Sequence, residues 1–168
     1  MRDKFDFADL IDHVQHDVGW LNYISDVVDG KNYAAFHIAV FTEPFLQNVL
    51  DGTKTIESRF SSVKCAPFRQ ISNGDIILIK QSGGPVRALS RAIETTFFNF
   101  SYDCFRTMRE LYGKDIGADE AFWSSKSSSK YGTILGLSDT ISIEPVDVRK
   151  SDRRGWVSYY APQMSFTF

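Results

Sequence analysis

Within the eight residues from Gly52 to Arg59 the chain places Lys54, Glu57 and Arg59: two cations around one carboxylate. Residues two apart on an extended strand share a face, so Glu57 and Arg59 can form a charge-assisted pair. Lys54 would face the other way in a regular strand, but a tight turn at Gly52 can leave it outside the alternation and aimed at the same space. Such a trio could grip a phosphate through Arg59. Glu57 could accept from a nucleobase amino group or act as a general base, and Lys54 could neutralise backbone charge or donate a proton. The structural alternative is a Glu-Arg bridge at a barrel mouth beside an exposed lysine.

Other candidates lie downstream. Asp119 and Glu120 open a helix that could return to the cleft and are the candidate partners for Lys54, with Glu120 the assisting acid in a hydrolase, although the helix dipole alone also favours an acid there. Lys126 and Lys130 sit among Ser124, Ser125, Ser127, Ser128 and Ser129 in a segment that could close over a ligand or simply be a solvated loop. Arg149, Lys150, Arg153 and Arg154 precede Trp156, which puts phosphate-seeking charge beside a ring that could stack on a base. A Trp156 buried beneath a solvated basic hairpin is the plainer reading. From residue 54 to 91 there are seven basic residues (Lys54, Arg59, Lys64, Arg69, Lys80, Arg87, Arg91) against Glu57 and Asp75, the most basic stretch of the chain body. Phe45 and Phe68, near the trio, read as core.

The elements that must hold these side chains follow from periodicity. Phe7, Leu10, Ile11, Val14, Val18, Leu21, Ile24 and Val28 recur at helical steps, predicting one amphipathic helix over 5–28, or two broken near Gly19. Residues 34–41 read as a buried strand. Thr42 is the expected N-cap of a short helix over 43–50 that stops at Gly52. Strands follow over 53–60, 76–80 and 86–98, the last two joined by the Gly83-Gly84-Pro85 reversal. A helix from Tyr102 should end at Gly113, a second should begin near Ala118, and 124–130 should be mobile. Strands over 131–137, 141–148 and 156–160 complete the pattern. The fold class expected is α+β: a mixed β-barrel of five to six strands, with short helices at its ends and an added N-terminal amphipathic helix. The division is residues 1–33 as helical extension and 34–168 as barrel domain.

The run Gly52, Thr53, Lys54, Thr55, Ile56, Glu57, Ser58, Arg59 resembles the hallmark Gly-x-Lys-x-x-Glu-x-Arg of the ASCH family, named for activating signal cointegrator homology. Pro44 before it, the Gly74-Asp75 turn, Phe122 and Trp123 in a late helix, and the closing Asp152-Arg153-Arg154-Gly155-Trp156 follow in family order. The resemblance covers about residues 36 to 160 and leaves the first 30 unexplained. It implies a barrel similar to the PUA domain, with a cleft lined by the motif and a role in binding RNA. Some small members resemble amidohydrolases acting on acylated cytidine, using a Lys, a Thr three residues later and a Glu from a later helix. Lys54 matches the first, but Glu57 stands where the hydroxyl nucleophile would be. Others are regarded as metal-assisted ribonucleases, and no clear carboxylate cluster to hold a metal is visible in this sequence.

With 168 residues, 43% apolar and 24% charged, the chain is the size of one domain able to bury its core without disulfide or metal. Cys65 and Cys104 lack zinc spacing, and His13 and His16, one helical turn apart, lack a third partner, while His37 sits in an apolar run. No cofactor or metal is expected. No apolar run approaches the ~20 residues of a membrane span, and no secretory signal is evident, so a cytoplasmic protein is expected. Residues 1–30 hold seven aspartates against Arg2 and Lys4, whereas the remainder holds 17 basic residues against 14 acids. Three function classes stay open: binding of RNA or a nucleotide in a Lys54/Glu57/Arg59 cleft; hydrolysis of a modified nucleoside or RNA by Lys54 and Glu57 with Glu120; and a protein partner or self-association through the N-terminal helix.

Overall fold

The computed structural model describes residues 6–100, 102–148 and 153–160. A 3-10 turn (Phe7–Asp9) leads into helices α1 (Leu10–His13) and α2 (Val18–Val28). Then come β1 (Phe36–Phe41), α3 (Phe45–Leu50), β2 (Ile56–Ser61), β3 (Ile76–Gln81) and β4 (Val86–Asn99). Helices α4 (Tyr102–Ile116) and α5 (Glu120–Lys126) and strands β5 (Tyr131–Val146) and β6 (Trp156–Tyr159) close the order. The strands form one mixed half-barrel in the order β2-β5-β4-β3-β1-β6. The β1–β3 pair is parallel and every other pair antiparallel.

Strand alternation sorts the side chains into layers. Phe36 and Ile38 of β1, with Ile76 and Leu78 of β3, face Phe7, Leu10, Trp20, Ile24 and Val27 of the N-terminal helices. Their neighbours Ala39, Phe41, Ile77 and Ile79 face the barrel interior with Leu135, Leu137 and Trp156. β3 is apolar at four successive positions because both its faces are covered. A third cluster lies outside β2, where Ile56 and Phe60 meet Met108 of α4 and Phe122 and Trp123 of α5. Ile56 and Phe60 therefore point away from the interior, and Glu57 and Arg59, in the alternate positions, point into it.

Several sequence expectations are corrected. The first helical segment breaks between His13 and Val18, ahead of Gly19: Asp17 caps α2 by accepting from the Trp20 N–H at 2.9 Å, and Gly19 lies inside the helix. The N-cap of α3 is Pro44, not Thr42, whose carbonyl accepts from the Leu46 N–H. α4 runs through Gly113 to Ile116, and Gly117, at φ 67°, supplies the left-handed residue that stops it. The serine-rich segment is helical through Lys126, its Ser125 and Ser127 hydroxyls donating to the carbonyls of Phe122 and Ser124. The two strands expected over 131–148 are one, β5, bent around Asp139 (φ 51°) as its register with β4 shifts. Among the described residues no helix is long and apolar enough to cross a membrane.

Candidate functional site

The α3–β2 connection sets the first part of the motif. Gly52 takes φ 80°, Asp51 Oδ1 accepts from both the N–H and the hydroxyl of Thr53, and the Lys54 N–H donates to the Asn48 carbonyl at 2.8 Å. Those turn contacts end the helix and hold Lys54 before the strand alternation begins at Ile56. Its ammonium donates to the Ile56 carbonyl at 2.6 Å and lies 3.6 Å from Glu57 Oε2. Lys54 and Glu57 are both more than nine-tenths buried, at 8% and 5% exposure. Lys54 is engaged with Glu57 and with the backbone, and Glu57 with Lys54.

Arg59 does something different. Its Nε donates to Glu57 Oε1 at 2.6 Å, while Nη2 reaches the Val40 carbonyl at 2.9 Å and Nη1 the Gly155 carbonyl at 3.4 Å. β2 and β6 are the two edges of the sheet, so this one guanidinium spans the open seam of the half-barrel. It lies 5.2 Å from the Phe41 ring centre and 5.3 Å from that of Trp156, against aromatic faces that favour a cation. Three of its five N–H groups are thereby used. With Lys54, two cations share one carboxylate, which leaves an excess positive charge at the seam.

Beside the seam lies a hollow of about 230 Å³, walled by Cys65, Pro67, Phe68, Tyr131 and Trp156 and edged by Arg59 and Arg154. Lys54 and Glu57 do not line it. Thr133, opposite Arg59 in the β2–β5 register, does, and its hydroxyl is buried without a hydrogen-bond partner. Trp156 is fixed from behind: its indole N–H donates to His37 Nδ1 at 3.1 Å, and His37 Nε2 faces Asp75 Oδ2 at 3.0 Å. Because the indole only donates, Nδ1 accepts and the ring proton sits on Nε2 toward Asp75. Asp75 also accepts from the N–H groups of Ala35 and Ser72, so the relay is anchored to backbone. Ser158 adds a hydroxyl 2.9 Å from Nδ1.

The half-barrel matches the crystal structure of ASCH from Zymomonas mobilis at a TM-score of 0.54, covering 67% of this chain and 73% of that one, with 16% sequence identity. The chain has an ASCH-like fold. A tyrosine-to-phenylalanine variant of that protein aligns with a TM-score of 0.53, 16% identity and coverage of 67% and 76%. No protein-family model matches the sequence, and no curated protein matches it. At this identity the likeness carries the architecture, so what the ASCH-like fold does here must be argued from its own side chains.

Not all candidate residues meet. Glu120 pairs with Arg109 at the surface, while Lys54 is held by Glu57. α5 packs on the Ile56/Phe60 side of β2, so Glu120 stands on the far side of the strand from Glu57. Lys126 lies 5.7 Å from the Phe122 ring on that same outer side. Lys130 is exposed next to Tyr131, its N–H donating to the Ser61 carbonyl, and Ser61 lines the hollow. Arg153 and Arg154 are exposed, and Trp156 is buried at 2%. Arg149, Lys150 and Asp152 fall outside the described residues. Phe68, read as core, is buried at 8% exposure and also walls the hollow, with the exposed Arg69 guanidinium 5.5 Å from its ring centre. Lys64 lies 5.6 Å from the Tyr131 ring centre. Sequence reasoning missed Thr133, Tyr131, Cys65 and the His37–Asp75 relay. The one available signal was a histidine in an apolar run, whose polar ring needed a buried partner.

A second, larger hollow of about 440 Å³ lies between α2 and the β4–β5 corner, lined by Asp17, Trp20, Tyr23, Arg91, Asp139 and Thr140. Its polar tips already serve one another: Trp20 donates to the Asp139 carbonyl, Tyr23 to that of Gly74, and Arg91 pairs with Asp139. It is an internally satisfied joint between helix and sheet, whereas the seam hollow holds an unmet hydroxyl.

Proposed function

We propose that this chain binds single-stranded RNA at the mouth of the half-barrel, beside Arg59. The observation that carries the reading is the coincidence of an aromatic hollow with a cationic rim. Phe68, Tyr131 and Trp156 wall the hollow, and the exposed Lys64, Arg69, Lys130, Arg153 and Arg154 adjoin its lining or belong to it. Single strands are held by this combination: cations follow the phosphates and aromatic surfaces receive unstacked bases, each worth about 1–3 kcal/mol. The ASCH-like fold is consistent with it. Lys54 and Glu57 act here from behind, holding Arg59 at the seam. Hydrolysis by that pair gains no support from its engagement within the interior, away from the hollow.

Fluorescence anisotropy with a short labelled single-stranded RNA tests this. Affinity should fall steeply with salt, the logarithmic slope losing about 0.7 for each phosphate contact removed. Replacing Lys64, Arg69 and Lys130 together by alanine should flatten that slope. A slope unchanged by the triple replacement, or no binding at low salt, would exclude the mouth as the RNA surface.

A further inference from the structure

We infer that the seam hollow receives one unstacked nucleobase, read at its edge by the Thr133 hydroxyl. This rests on the RNA-binding reading above and specifies what enters the site. Thr133 is 1% exposed, lines the hollow, and its Oγ1 has no hydrogen-bond partner, on a strand where the neighbouring backbone groups are paired across the sheet. A buried hydroxyl left unmet lowers stability, and a ligand that supplies its partner recovers that loss. The volume of about 230 Å³ is below the ~300–1,000 Å³ of pockets for drug-sized ligands, which suits a single planar group rather than a whole cofactor.

The walls fit the same class of ligand. Phe68 and Tyr131 are tilted rings with centres 5.0 Å apart, and Trp156 is held by its bond to His37, so the hollow has a fixed aromatic wall. Thr133 and Arg59 are cross-strand partners, which puts a hydroxyl, able to donate and accept, beside a guanidinium that only donates. Every base edge presents an acceptor, so the pair can hold any of the four, and the selection is for a base over none. The ring can come from an RNA strand or from a free nucleotide.

The decisive comparison uses the whole chain, wild type and Thr133→Val, against a short single-stranded RNA, the same backbone made abasic throughout, and a nucleoside monophosphate. Wild type should bind the base-bearing strand more tightly than the abasic one. Thr133→Val should lower affinity for the base-bearing strand about fivefold and leave the abasic strand unchanged. The variant should also unfold at a higher temperature when free, because it deletes an unmet hydroxyl, so lost affinity cannot be ascribed to misfolding. Saturable binding of the monophosphate that weakens in the variant would support the hollow with a free nucleotide as the source. Equal affinity for both strands, insensitive to Thr133→Val, would overturn the inference and leave RNA binding intact. Failure to bind either strand or the monophosphate would overturn both readings.

Discussion

The guanidinium of Arg59, on one edge strand of the half-barrel, donates to the carbonyl of Val40 across the seam at 2.9 Å. Among the described residues no strand pairing joins β2 to β1 or β6, so a side chain supplies the closure, and Glu57 holds that side chain from beneath.

Removing it should therefore cost stability as well as binding. Arg59→Ala leaves the buried Glu57 carboxylate with Lys54 alone, and we expect a loss of about 2–3 kcal/mol in urea unfolding, reduced from the usual range for buried pairs because Arg59 is partly exposed. Arg153→Ala, at an exposed position, should change stability by less than about 0.5 kcal/mol. In RNA titrations Arg59→Ala should weaken binding more than Arg153→Ala, since salt screens a rim contact more than a partly buried one. Equal effects on affinity would mean that the seam is not part of the interface.

The turn that delivers Lys54 should be sensitive to acid. The Thr53 hydroxyl, and secondarily its N–H, hold the Asp51 carboxyl below its ordinary value. A carboxylate whose folded pKa is lowered contributes stability above its unfolded value, and that contribution disappears as pH falls below about 3.9 and through the lowered folded value. Thr53→Ala should move the Asp51 titration, followed by carboxyl-carbon NMR, back up toward the ordinary range. An unmoved titration would show that the hydroxyl does not anchor the turn.

The two cysteines provide an internal comparison. Cys65 lines the hollow and is half-buried, whereas Cys104 lies exposed on α4. Saturating single-stranded RNA should slow alkylation of Cys65 severalfold and leave the rate at Cys104 unchanged, as read by mass spectrometry of the labelled peptides. Parallel slowing at both would point to general coating of the protein, and slowing at neither would remove the ligand from the hollow.

How far the sequence disclosed this arrangement depended on the range of the interaction. The turn at Gly52, the shared face of Glu57 and Arg59, and the apolar run of β3 are local and follow from backbone geometry over a few residues. The strands expected over 131–137 and 141–148 are one, β5, because the pairing that carries the chain past Asp139 lies on β4, far away in sequence. α4 continues past Gly113 because Met108 and Ile116, on either side of it, are buried in one cluster with Trp123, which outweighs glycine's modest cost inside a helix. Asp119 and Glu120 are the acids expected to join Lys54, yet Asp119 caps α5 and α5 covers the opposite face of β2, a matter of which side a helix docks that local periodicity does not encode. Thr133 carried no sequence signal: its meaning comes from facing Arg59 across the β2–β5 register and from having nothing to bond.

Amide NMR of the intact chain titrated with a short single-stranded RNA locates the ligand most directly. The expected result is that saturable shifts concentrate at Cys65, Phe68, Tyr131, Thr133 and Arg154, and that salt weakens the binding. Shifts concentrated instead at Asp17, Trp20 and Arg91, around the joint between α2 and the sheet, or no shifts at all, would contradict the assignment of the mouth as the RNA site.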